Sequence, residues 1–299
     1  MFPRLQRPWV GLLGLAVGFL TQPLGHAAFM VNANQFGERA VYTSALIGLA
    51  GLVVIYRGLR QPEAKATWMG MLGGWLLWLG WFEYAFNFFA RLYAVPPFAV
   101  EPAVAGGYVA TPSANMLQAT VTLMLGLFMV YGFFNRETKC NFMRWFHRHL
   151  HIDPGSPTPG MGRSFARITA MEMLFVTWFC YLFWLYVIYL GTRGTGAMAV
   201  TGIYVAWLAW SLYLVWRSTL QPRIGLALRY GIGAGIVLWG SAEMPAHFGA
   251  YREYWLLPEQ YPVFNTVMAL VFIGGVALIA REGRRAAGGI AERGQSAGW

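Results

Sequence analysis

Apolar residues along this chain run in blocks that approach 20 residues, the length a helix needs to cross ~30 Å of hydrocarbon. Eight such blocks predict eight membrane-spanning helices: Trp9–Phe29, Val41–Arg57, Thr67–Arg91, Asn115–Phe134, Ile168–Leu190, Ala199–Trp216, Ala227–Gly249 and Val263–Ala280. Polar and charged residues concentrate in the connections. Composition agrees: 57% of the 299 residues are hydrophobic and 11% are charged, against about 25% charged in a soluble domain. The expected fold class is an all-α integral membrane protein.

The net charge of +10 raises nucleic acid as a partner, and the placement of the charge argues against it. With the N-terminus in the cytoplasm, 18 of the 22 basic residues fall in cytoplasmic segments, and only Arg39, Arg91, Arg193 and Arg252 lie outside. This positive-inside bias fixes an even number of spans with both termini cytoplasmic. The expected setting is a bacterial-type inner (plasma) membrane, with anionic headgroups as partners of the basic inner face. Arg4 and Arg7 before an apolar block ending near "GHAAF" also fit a signal peptide, but the repeat described next needs that first helix. Cys140 and Cys180 fall in a cytoplasmic loop and inside the fifth block, which makes a disulfide framework unexpected.

Shifting the chain against itself by 160 positions aligns 57–90 with 217–250, with eight identities in 34 positions. Arg57 meets Arg217, Gln61-Pro62 meets Gln221-Pro222, Gly73 meets Gly233, Gly80 meets Gly240 and Glu83 meets Glu243. This predicts two parallel four-helix units related by a pseudo-two-fold axis along the membrane normal. Their expected bounds are 1–134 and 168–283, joined by a basic cytoplasmic linker over 135–167 and followed by a basic tail over 284–299. The linker contains "DPGSPTPGMG", which forbids a continuous helix. In layout, such a chain is similar to quinol-handling membrane subunits, with no shared motif.

The chemistry centres on the duplicated glutamates. Gly73, Gly80, Glu83 and Asn87 share one helical stripe, as do Gly233, Gly240, Glu243 and His247. Glycines allow close helix approach in lipid, so the simplest packing sets the third and seventh spans together with the carboxylates facing each other near the outer side. Acids inside a span are costly and usually face an interior or a wet cavity. Two of them at close range share a proton, hold a metal or bind a ligand. Glu83 and Glu243 are the candidate catalytic acids, with Tyr84, Asn87 and Arg91 as candidate substrate contacts. His247, Glu243 and His26 form a candidate metal set, with Met30 and Met244 nearby, suiting copper or another transition metal. His26 and His247 as axial haem ligands are a further possibility. Alternatively Arg91 and Arg252 neutralise the glutamates, which would make them structural.

"WFHRHLH", with His147, His149 and His151, fits a segment lying on anionic headgroups or a minor metal site. Glu172 sits near the inner end of the fifth block, within reach of Arg167. Several chemistries find no support. There is no phosphate-binding glycine loop, and Asp153 is the only aspartate, which excludes a Ser-His-Asp triad. Five histidines are too few for a desaturase-type di-iron site, and neither Lys65 nor Lys139 is placed for a retinal Schiff base. Three functions remain: a redox or metal-assisted subunit handling a quinol or other hydrophobic molecule, a proton- or cation-coupled small-solute transporter, and a non-catalytic subunit among other membrane subunits.

Overall fold

A computed structural model describes residues 5–97, 111–134, 147–153, 164–191 and 196–296. Of the expected linker, 135–146 (with Cys140) and 154–163 lie outside the described residues, as do 98–110 of the loop after Leu92. The described chain is helical: α1 (Trp9–Phe36), a 3₁₀ turn (Gly37–Arg39), α2 (Ala40–Gly58), α3 (Glu63–Leu77), a π turn (Trp78–Glu83), α4 (Tyr84–Leu92), α5 (Pro112–Ala119), α6 (Val121–Phe134), α7 (Phe165–Gly191), α8 (Gly196–Thr219), α9 (Ile224–His247), a 3₁₀ turn (Tyr254–Leu256) and α10 (Pro262–Ser296).

Five stretches are long and apolar enough to cross a membrane: Trp9–Gly58, Phe165–Gly191, Met198–Thr219, Ile224–His247 and Pro262–Arg285. The pair Pro112–Ala119 and Val121–Tyr131, bent by 46°, makes a sixth if it is one broken span. Length and apolarity thus support five or six crossings where the sequence pattern suggests eight. The first stretch holds both α1 and α2. Asn32 donates to the Ser44 hydroxyl at 2.8 Å and accepts from Thr43. Twelve residues of straight helix would hold those side chains ~18 Å apart, so the chain reverses at the Gly37–Arg39 turn. The run from Glu63 to Leu92 is not among the five; it carries Glu83 and is divided by the π turn.

Small residues set the packing. A Cβ on Gly14 would lie 2.6 Å from the Ala227 carbonyl oxygen, and one on Gly18 would lie 2.3 Å from that of Gly231. Both numbers rise together, so α1 and α9 run parallel with their backbones in contact, as four-residue glycine spacing permits. The second seam repeats this geometry: Gly70 lies against Ala166 and Gly74 against Ala170, so α3 and α7 are parallel as well. The glycine stripe expected between the third and seventh spans is corrected here. Gly73 and Gly80 pack on α2, at Gly51 and Ile55 and at Ser44 and Gly48 respectively. Gly240 faces Trp184 of α7, and Gly233 faces open space. The register that matters is one to three residues from Gly73 and Gly233, at Gly70, Gly74, Gly231 and Gly235, where the neighbouring helix is also small.

The core between these seams is built from Val17, Met71, Met173, Leu228, Ile232 and Ile236, each almost wholly buried. Outward faces of α2, α6, α8 and α10 expose leucines, valines and aromatics, among them Leu46, Leu125, Leu212 and Leu270. A surface of that kind is stable against hydrocarbon rather than water. Near the start of α9, Arg229 pairs with Glu63 at 2.6 Å and donates to the Thr67 hydroxyl. That contact ties α9 to α3.

Candidate functional site

Helix α1 brings His26 to the level where Glu83 ends the π turn and Glu243 nears the end of α9. The imidazole lies between the two carboxylates: Nδ1 is 3.2 Å from Glu83 Oε1, and Nε2 is 3.3 Å from Glu243 Oε1. The Tyr181 hydroxyl of α7 reaches the same Nε2 at 2.6 Å, and the two rings meet edge to face. Four helical elements thus converge on one ring. All three ionisable side chains are largely buried, at 18%, 15% and 13% exposure for His26, Glu83 and Glu243.

Local backbone irregularities cluster here. Pro23 lies one turn before His26, Pro245 lies two residues after Glu243, and Glu83 is the last residue of the π turn. A π turn widens the helix and re-aims the following side chains, and such turns gather at functional sites. Pro245 does not unwind its helix, since α9 continues to His247. On the partner side, Gly80 leaves room for Gly48 and Ser44 of α2, which lets the widened segment lie close to its neighbour.

The set has two protonation states with distinct hydrogen bonding. As an imidazolium, His26 donates from Nδ1 to Glu83 and from Nε2 to Glu243, and the Tyr181 oxygen shares the Nε2 proton. As a neutral ring with its proton on Nδ1, it still donates to Glu83, while Nε2 accepts from the Tyr181 hydroxyl. A positive ring between two carboxylates resolves the repulsion that two facing acids would otherwise suffer. The glutamates meet through the imidazole rather than through each other.

The remaining candidates divide. Asn87 donates to the Glu83 backbone carbonyl at 3.0 Å, one turn back on its own helix. Tyr84 is buried and stacks on Phe88, and Arg91 is exposed. His247 meets the Phe248 ring. Arg252 donates to the Tyr261 hydroxyl at 3.1 Å, so the basic side chain beside both glutamates is His26, not an arginine. Among the described residues no group of three or more His, Cys, Asp or Glu side chains is arranged to hold a metal ion. The expected set of His26, Glu243 and His247 is therefore not assembled as a ligand shell.

Sequence reasoning missed Tyr181, one of 15 tyrosines and unmarked by the 160-residue shift. It also missed a stack beside it. Trp78 lies parallel to the Tyr181 ring at 6.0 Å and 8°, and continues into Phe82, Phe86 and Trp178. Glu243 also lines a small cavity whose other walls include Gln22, Cys180, Trp184, Trp239 and Gly240. The loop after α9 packs beside the site: Trp255 is buried edge-on against Trp239 at 4.6 Å, and Tyr251 donates to the Ala242 carbonyl. Glu253 in this loop has its carboxyl pushed above the usual range, chiefly by burial and then by the charge of Glu243, with His26 opposing. Comparison of the chain with protein-family models, curated proteins and solved structures finds no match.

Proposed function

We propose that this chain is a membrane protein of two parallel four-helix units with cytoplasmic termini, and that Glu83, His26 and Glu243 form a proton-exchanging site at their seam that drives movement of a small solute. The single observation that carries this reading is one imidazole bonded at both nitrogens to the duplicated glutamates. The proton is loaded onto His26 and held by two carboxylates; it leaves when Tyr181 takes over Nε2. Acids at the interface of parallel repeats are a transporter layout, and the two matching parallel seams, α1 with α9 and α3 with α7, support it. The π turn at 78–83, together with the helix-interior Pro23 and Pro245, supplies places where those helices can shift.

The test is purified protein in liposomes with a trapped pH-sensitive dye and an imposed pH gradient, with candidate solutes added in turn. Solute-dependent proton movement that disappears in Glu83→Gln, Glu243→Gln and His26→Gln supports the reading. Movement equal to wild type in all three defeats it.

A second reading is favoured by the aromatic stack on Tyr181. The Tyr181–His26 pair would accept protons from a hydrophobic hydroxyl-bearing substrate, such as a quinol, arriving from lipid. Tight quinol binding lost in Trp78→Ala and in His26→Gln, without solute-driven proton movement, would select it.

A further inference from the structure

The cavity beside Glu243 has polar walls that the proton-exchange reading does not use. Trp184 is 3% exposed, and its indole N–H has no hydrogen-bond partner. Gly240 admits that indole: a Cβ there would lie 2.3 Å from Trp184 Nε1. Glu243 and the Gln22 side chain line the same space. Two turns back along α7, Thr177 is wholly buried with a hydroxyl that also lacks a partner. Cys180 lies between them on the buried face. Leaving a buried donor unmet costs about 1–3 kcal/mol, and internal water is the usual remedy where a polar space holds one. This space has room for about one water molecule.

We propose that the cavity enclosed by Glu243, Trp184, Gly240 and Gln22 is an ordered-water site that carries the proton between the Glu83–His26–Glu243 set and Thr177 on its inner side. The proposal rests on the proton-exchange reading for its role, though not for the presence of the water. A water there accepts from the Trp184 indole and donates to the Glu243 carboxylate. Its second proton points along α7 to Cys180 of the cavity wall, and one turn further along the same face is the unpartnered Thr177 hydroxyl. At the Phe165 end of α7, Arg229 covers the Phe165 ring and pairs with Glu63. The water gives the proton an inward route, while the face toward Glu253 gives an outward one.

The experiment is infrared difference spectroscopy of the membrane-reconstituted protein in ordinary and ¹⁸O-labelled water, alongside the liposome proton assay. An O–H stretching band that shifts with ¹⁸O, and is lost in Trp184→Phe and in Gly240→Ala, is expected. No such band in the wild type, or a band that survives Trp184→Phe, overturns the water site. Thr177→Val is expected to slow proton movement about fivefold, the scale of one lost hydrogen bond, while the carboxylate bands still titrate from outside as in wild type. Unchanged proton movement in Thr177→Val overturns the inward route. A wild type with the ¹⁸O-sensitive band but no proton movement retains the water site and refutes both the inward route and the proton-exchange function.

Discussion

The two parallel seams use one packing solution for different ends. On α1, Gly14 and Gly18 meet α9; on α7, Ala166 and Ala170 meet α3. Eight residues beyond Gly18 lies His26, and eight beyond Ala170 lies Trp178. Counted from the two seams, an imidazole on α1 thus answers to an indole on α7. That indole donates to the Thr120 hydroxyl at 3.2 Å and packs with Trp78, Phe82 and Phe86. Duplicated glutamates would by themselves give two equal sites. The His–Trp difference leaves one site, shared by both acids, with an aromatic wall in place of the other. The difference between the two seams leaves a single imidazole between both acids.

Removing the imidazole should have the largest effect. His26→Leu leaves two largely buried carboxylates facing an uncharged neighbour, and the expected loss is about 3–5 kcal/mol of stability, read by thermal unfolding in detergent. Adding Glu83→Gln and Glu243→Gln to His26→Leu should recover most of that loss without restoring proton exchange. Failure of the triple variant to recover stability would show that His26 acts by packing alone.

Next come the seams. Gly18→Ala drives a methyl toward the Gly231 carbonyl, and Gly70→Ala drives one toward the Ala166 carbonyl, each at 2.3 Å. Each should cost about 1–3 kcal/mol. A tolerated Gly70→Ala beside a damaging Gly18→Ala would break the equivalence of the two seams. Gly233→Ala meets nothing within 4 Å and serves as the neutral control.

Tyr181→Phe removes the hydroxyl from His26 Nε2 and keeps the ring stacked on Trp78. A loss of about 0.5–1.5 kcal/mol is expected, together with slower proton release in the liposome assay.

The smallest effect is in the loop after α9. The Glu253 carboxyl is raised in the folded protein, so folding favours its protonated form. Its stability contribution is present below the unfolded carboxylate range and is lost as pH rises through the raised value. Glu253→Gln should flatten that part of the stability–pH curve and leave the protein slightly more stable at neutral pH.

Much of this was legible in the chain. The apolar blocks show the all-helical membrane character because hydrocarbon demands helices with satisfied backbones, and Glu83 and Glu243 stand out because charge in such a block is costly. His26 is visible as a histidine at similar depth, but not its place between the two carboxylates. Tyr181, Trp184 and Thr177 carry no local signal: tyrosine, tryptophan and threonine are common in apolar helices, and only a neighbour's position gives them a partner. The π turn at 78–83 is equally silent, since helical periodicity does not record where one extra residue is accommodated.

Sequence by itself determined the hydrophobic surfaces and the presence of two acids inside apolar blocks, because each follows from transfer between water and lipid, residue by residue. Tertiary structure alone decided which small residues touch, and therefore where each helix stops along its neighbour. Backbone contact at Gly14, Gly18, Gly231 and Gly235 fixes α1 against α9 to within a fraction of a turn. That register places one imidazole between two carboxylates, and no count of glycines or glutamates along the chain contains it.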